Sequence, residues 1–237
     1  MTTVMSAARQ IVHAGVMGPG RTSSWVDPGV VAGFAASPPN LQLIDYAGRQ
    51  PRSSSALRVL DIGCGAGRNA VPLALSGADV MATDLSLPML QAAQARHADG
   101  RLHLALAAMH ALPVRDRSID LIVAHGIWNL ARSGAEFRQA IAEAARVAVK
   151  GAALFVFTFS RHTLPAEAKP VAGETFVFTQ FSGAPQCFLT EAQLLDELHA
   201  ADFVPDRELP LRELNRPAPG LRTAGGPVIF EGAFRNQ

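Results

Sequence analysis

The 237-residue chain is 49% hydrophobic and carries 21 basic against 20 acidic residues, for a formal net charge of +1. That balance excludes the electrostatic footprint of a general nucleic-acid or anionic-membrane binder. Two cysteines, one of them inside a glycine-rich turn, exclude a disulfide framework.

The N-terminus has no basic leader followed by an apolar core, and the longest apolar runs are far too short to span a bilayer. The expectation is a soluble, cytoplasmic protein with a small-molecule partner. Residues 1–55 differ in texture from the rest. An amphipathic helix is predicted over 4–16, then turn-rich sequence around Gly18-Pro19-Gly20, then helices over 28–36 and 41–47 separated by Pro38-Pro39. Residues 51–55 read as a linker. This segment is expected to be a helical cap, and residues 56–237 the main domain.

From Leu57 strand and helix patterns alternate, the signature of a parallel sheet covered on both faces. Strands are predicted over 57–62, 78–84, 101–105, 119–124 and 152–159, with helices over 69–76, 87–98 and 134–148. Ser86 is placed to N-cap the second of these helices, and Lys150-Gly151 to stop the third. Residues 160–187 are too long for an ordinary connection, so they form a candidate substrate loop with a short strand at 175–178. Thr190 is expected to cap a helix over 191–201. Strands at 203–208 and 228–234 close the sheet, with the proline-rich link between them read as a hairpin connection.

Chemistry concentrates in Asp61-Ile62-Gly63-Cys64-Gly65-Ala66-Gly67-Arg68, where the first strand enters a glycine turn leading to a helix. Such a turn lets a nucleotide-like ligand approach the backbone and meet outward-pointing helix N–H groups. The dinucleotide fingerprint requires its third glycine one residue later than Gly67, where Arg68 stands, which disfavours NAD; no phosphate-cradling P-loop is present either. Asp61 at the strand end repels an anion and welcomes an ammonium group. Asp84, at the end of the next strand, is placed to accept both hydroxyls of a ribose. A ligand with an amino acid at one end and adenosine at the other satisfies both carboxylates, and S-adenosylmethionine is that ligand.

At these residues the chain resembles the class I S-adenosylmethionine-dependent methyltransferases from about Leu57 to the C-terminus. Residues 59–67 are similar to the family's first motif and Ala82-Thr83-Asp84-Leu85-Ser86 to its second. Ala111-Leu112-Pro113 with Ser118-Ile119-Asp120-Leu121-Ile122 resembles the lead into the fourth strand, and Ala145-Arg146-Val147 through Lys150-Gly151-Ala152 the lead into the fifth. The resemblance implies a Rossmann-like, seven-stranded, mostly parallel sheet in the order 3-2-1-4-5-7-6. It also implies cofactor contacts from Asp61, Gly63, Cys64, Gly65, Gly67, Asp84, Leu85 against adenine, and His125 after the fourth strand. The family's acidic residue after the third strand is replaced by Ala107-Ala108-Met109, so backbone groups of Ala108 and Met109 are expected to line the base.

Methyl transfer is an in-line displacement that needs no obligatory acid or base. His125 is the one candidate base for an acceptor proton; its alternative is a hydrogen-bonded structural histidine. Trp25 and Trp128 are expected to form an apolar wall over the methyl donor and to contact substrate, with Phe176, Phe178 and Phe181 adding to it. The family's nucleic-acid amino-methylating enzymes carry an Asn/Asp-Pro-Pro-aromatic motif that is missing here. No Gly-x-Ser-x-Gly or His-Glu-x-x-His occurs, and His97, His103 and His110 lack metal-ligand spacing. The expectation is a methyl transferase acting on a small molecule; the alternatives are an NAD-dependent oxidoreductase and a non-catalytic binding subunit of the same fold.

Overall fold

The computed structural model describes residues 12–13, 24–52, 55–97, 100–216 and 226–237. Five parallel strands form the sheet centre: Arg58–Ile62 (β2), Asp79–Asp84 (β3), Leu102–Leu106 (β4), Ile119–His125 (β5) and Ala148–Phe159 (β6). Their order is β4-β3-β2-β5-β6, and Ile229–Asn236 (β11) follows β6 antiparallel. The sheet has nine described strands where seven were expected. Val12–His13 (β1) extends the β4 edge, in parallel. The position beyond β11 is shared by two short strands, Phe203–Pro205 (β9) beside 234–236 and Arg212–Leu214 (β10) beside 229–231. Apart from β1 and that split, the strand order is the one the resemblance implies. Most of the helix predicted over 4–16 lies outside the described residues; the two that are described, Val12 and His13, are strand.

The near-continuous apolar strands are buried on both faces, as a sheet between two helical layers demands. One face carries Leu60, Ile62, Ile122 and Leu154 against the helices Gly134–Val147 (α5) and Glu191–His199 (α6). The other carries Val59, Val80, Val123 and Phe155 against Leu41–Gly48 (α2), Ala70–Leu75 (α3) and Leu87–Ala95 (α4). Phe137, Ile141 and Ala144 of α5 point inward at helical spacing, and Thr190 starts α6 with a reciprocal capping box to Gln193.

Lys150-Gly151 does not terminate α5. That helix ends at Val147, and β6 begins at once. Ile119 pairs with Ala148 but Leu121 with Ala153, so the extra residues bulge out and Gly151, at φ +78°, supplies the left-handed kink.

Leu41–Gly48, expected from the sequence as a helix of the cap over 41–47, packs into the core. Leu43, Tyr46 and Ala47 are buried against the sheet. The Tyr46 hydroxyl donates to Asp206 at 2.5 Å, Arg235 Nε reaches the same carboxylate at 2.7 Å, and another Arg235 nitrogen meets Gln50 Oε1 at 2.6 Å. Burial and Asp206 together push the Tyr46 phenol far above its ordinary range, so it stays a donor. Pro28–Ala36 (α1), capped by Asp27, has no buried residue and lies on α4.

Tyr46→Phe keeps the ring and deletes its bond to a buried charge. Urea unfolding is expected to give a loss of about 1.5–3 kcal/mol, the scale of hydrogen bonds to charged groups; a loss indistinguishable from zero means this network does not anchor α2.

Candidate cofactor and acceptor site

The glycine turn sits where β2 ends, at the carboxyl edge of the parallel strands, the usual ligand edge of an open α/β sheet. Gly63, Gly65 and Gly67 have φ of +67°, +54° and +76°, a region that costs any other residue about 1–2 kcal/mol. Two of the three are fixed by space as well. A Cβ on Gly63 would lie 2.5 Å from Ile127 Cδ1, and one on Gly67 would lie 2.9 Å from both Ala93 Cβ and Val71 Cγ2. The early third glycine thus admits α4 behind the turn, where Arg96 also donates to the Ala66 carbonyl at 2.8 Å.

Two carboxylates face this turn. Asp84 is oriented by backbone: Gly65 N donates to Oδ2 and Ser86 N to Oδ1, each at 2.8 Å. Each oxygen keeps a second lone pair for a diol. Burial nevertheless raises the Asp84 pKa. Asp61 is 2% exposed, and its Oδ2 has no hydrogen-bond partner among the described residues. Burial, then the neighbouring Asp84 charge, push Asp61 up to about 8, against a hydrogen bond from the Ala70 backbone. The free protein therefore keeps a proton on Asp61 at neutral pH. A cation seated there would displace it.

The remaining expected contacts divide. Leu85 is 65% exposed beside Asp84, a bare apolar face, and Ala108 and Met109 are buried just beyond β4. Cys64 is a small buried residue whose backbone N–H bonds the Thr83 carbonyl and whose carbonyl accepts from Gly67 N, and burial raises its thiol pKa.

His125 is not set up as a base. Burial, then Arg68, push its pKa down to about 4, and its ring stacks on Phe157 at 4.3 Å. Asn40 Oδ1 caps α2 by accepting from Leu43 N, so Asn40 Nδ2 is the donor side, 3.3 Å from His125 Nε2 and 2.5 Å from Glu231. This engages the nitrogen that a base would use. The geometry fits a positioning group that pins the cap to β5.

Trp25 and Trp128 do not form one wall. The Trp25 carbonyl accepts from Ser86 Oγ at 2.7 Å, and its ring meets Phe34 edge-on at 5.3 Å, on the β3 side of the turn. Trp128 is fully buried in the opposite core layer against Phe137, because the short helix Trp128–Leu130 turns it inward. Phe176 joins that core at Phe137, while Phe178 and Phe181 lie in a separate aromatic cluster with Phe188.

Sequence reading missed the residues that close the cap over the turn. Phe34 lies 3.6 Å from where a Gly65 Cβ would be, Arg68 Nε donates to the Pro38 carbonyl at 2.5 Å, and Asn69 Oδ1 accepts from Asn40 N at 3.0 Å. Pro-Pro-Asn ahead of an apolar helix signals an N-cap, but nothing in the sequence tells that the same amide reaches β5 and β11.

Residues 60–156 match the family described as "Methyltransferase domain". By that domain and by its fold the chain is similar to the class I S-adenosylmethionine-dependent methyltransferases. It is 34% identical over 122 residues to a demethylmenaquinone methyltransferase of Renibacterium salmoninarum, covering 51% of this chain and 47% of that one. A malonyl-[acyl-carrier protein] O-methyltransferase of Pseudescherichia vulneris is 37% identical over 128 residues, covering 53% and 46%. The chain thus spans about half the length of these curated relatives. Among solved structures it is similar, at TM-score 0.63 and 19% identity, to a Burkholderia thailandensis 1,6-didemethyltoxoflavin-N1-methyltransferase with bound 1,6-didemethyltoxoflavin and S-adenosylhomocysteine. That match covers 90% of this chain and 81% of the other. Among the described residues no helix is long and apolar enough to cross a membrane.

Gly67→Ala forces a left-handed alanine against Ala93 and Val71. A thermal melt is expected to show destabilisation of at least about 1–2 kcal/mol, the backbone cost alone; a melting temperature equal to the parent's rejects the packing role assigned to this glycine.

Proposed function

We propose that the chain binds S-adenosylmethionine across the glycine turn and transfers its methyl group to a small-molecule acceptor. The observation that carries this reading is the buried, unpartnered Oδ2 of Asp61 beside the backbone-held carboxylate of Asp84. An unpaired buried polar atom is costly, and one that a cationic ligand relieves favours the ligated state. Asp61 receives the ammonium end through the turn, Asp84 the ribose hydroxyls, Leu85 one face of the adenine, and the Ala108 and Met109 backbone its edge. Gly63, Gly65 and Gly67 keep the chain low enough for that approach, with Cys64 as a small spacer. Bound there, the cofactor supplies an electrophilic sulfonium methyl. The protein's share is to orient donor and acceptor and to exclude water, which Phe34 and Trp25 do from the cap side.

A small-molecule acceptor is supported by relatives named as demethylmenaquinone, malonyl-[acyl-carrier protein] and 1,6-didemethyltoxoflavin methyltransferases. A nearly neutral chain agrees with a small acceptor in preference to nucleic acid.

Calorimetric titration is expected to show S-adenosylmethionine binding and none of NAD; the opposite pattern sinks the reading. Asp84→Ala is expected to weaken cofactor binding by roughly 1–3 kcal/mol, the scale of a lost hydrogen-bonded charge. Because Asp61 holds its proton until about pH 8 in the free protein, a bound cation must expel it. Affinity is therefore expected to rise with pH up to about 8 and then level, with proton release at neutral pH. Binding enthalpies in two buffers of different ionisation heat measure that release. Identical enthalpies in both would remove Asp61 from the ligand site.

A further inference from the structure

Four acids are buried among the described residues: Asp61, Asp120, Asp206 and Glu231. A buried charge is costly unless it is paired, so each of them calls for a partner. Asp120 has Arg58 at 2.7 Å, and Asp206 has Arg235 at 2.7 Å. Asp61 has no cation, and the cofactor's ammonium end is assigned to it for that reason. Glu231, 7% exposed, forms no ion pair among the described residues either. Its surroundings on the sheet do not lack cations. Glu213, next to it across the β10–β11 ladder in register with Phe230, is held by the Ser160 hydroxyl, by His162 Nδ1 at 2.6 Å and by Arg216 at 3.3 Å. Arg212 stands opposite Glu231 itself in the same register, yet no ion pair joins the two.

Strand pairing ties Glu231 to the cofactor corner. Phe157 of β6 pairs with His125 of β5 on one side and with Glu231 of β11 on the other. Residues directly opposite in a ladder share a face, and this face is covered by the start of α2. There Asn40 Nδ2 donates to Glu231 Oε2 at 2.5 Å and lies 3.3 Å from His125 Nε2. Asn40 N donates in turn to Asn69 Oδ1 at 3.0 Å, and Asn69 follows the glycine turn directly after Arg68. Polar contacts therefore run without a break from the turn to Glu231. In sheet order β11 is three strands from β2, about 14 Å at the usual strand spacing.

The Asn40 amide engages only one oxygen of the carboxyl group. Oε1 has no hydrogen-bond partner among the described residues, and it is not one of the polar atoms sealed from solvent. Glu231 is thus held in place by one oxygen and open at the other. Phe157, half-buried between His125 and Glu231 and stacked on the imidazole at 4.3 Å, adds an apolar flank.

We infer that Glu231 Oε1 receives a protonated amine of the methyl acceptor, so that the acceptor is an amine-bearing small molecule. This rests on the methyl-transfer reading above. A protonated amine has no lone pair to receive a methyl group. The amine is therefore a handle, and the methyl goes to another atom of the acceptor. Asn40 is a positioning residue that fixes the carboxyl group from the cap side.

The test uses the full chain loaded with S-adenosylhomocysteine and two probes of one shape: benzylamine, protonated at neutral pH as a lysine amine is, and uncharged benzyl alcohol. Ligand-detected NMR titration gives both dissociation constants. The parent is expected to bind the amine at least about tenfold more tightly than the alcohol, the scale of one hydrogen bond to a charged group. Glu231→Gln keeps the shape and an acceptor for Asn40, and is expected to lose that preference with S-adenosylhomocysteine affinity unchanged. Without ligand its melting temperature is expected to equal or exceed the parent's, because a charge held open for a ligand adds nothing to the empty fold. A parent without the preference, or a preference that survives in Glu231→Gln, overturns the inference and leaves the methyl-transfer reading intact. So does a variant that melts well below the parent, which makes Glu231 a structural partner of Asn40 or Arg212. Absence of S-adenosylhomocysteine binding brings down both.

Discussion

The structure depends on a conflict at the end of β2: two carboxylates, Asp61 and Asp84, share a buried corner that only one of them can occupy as an anion without help. Asp84 has that help in two backbone N–H groups. Asp61 has only the Ala70 backbone N–H, its Oδ2 has no partner among the described residues, and burial and Asp84 push its pKa up to about 8. The glycines make the corner possible, since their left-handed backbone folds the turn tightly enough to leave room for Ile127 above and Ala93 behind. A side chain at Gly63 or Gly67 would separate the elements that bury the acids, so geometry and electrostatics here are one constraint.

That constraint explains the division of labour along the carboxyl edge. The β3–β2 end is acidic and enclosed, suited to a cationic, adenosine-bearing molecule. The β11 end carries Glu231, a buried acid with no cation among the described residues. Between them burial lowers the His125 pKa and Asn40 lies against its Nε2.

Much of this was legible in the sequence because it is local. The strand-turn-helix around Asp61 and the Ser86 and Thr190 caps follow from residue periodicity and capping chemistry, and the order of the five parallel strands from the family resemblance. The failures were cases where distant contacts decide. Gly151 looked like a helix stop, but pairing with β5 makes it a bulge. Trp128 looked like a site residue, but a three-residue helix turns it into the core beside Phe137. The His162–Glu213 pair joins residues 51 positions apart, and no spacing rule connects them. Asn40 was invisible for the same reason: its cap role is local, its reach to Glu231 is not.

The two helices that cover the site are fastened very differently. Around Ser37-Pro38-Pro39-Asn40 the chain passes from α1, with no buried residue, to α2, locked by Tyr46, Asp206 and Arg235. Opening free energies scale with buried contacts. Lifting α2 would unmake part of the core, whereas α1 is held by its packing on α4, by Phe34 over Gly65 and by the Trp25–Phe34 contact. The covering of the glycine turn is thus unevenly fastened, deep at α2 and shallow at α1, with Pro38 and Pro39 at the change.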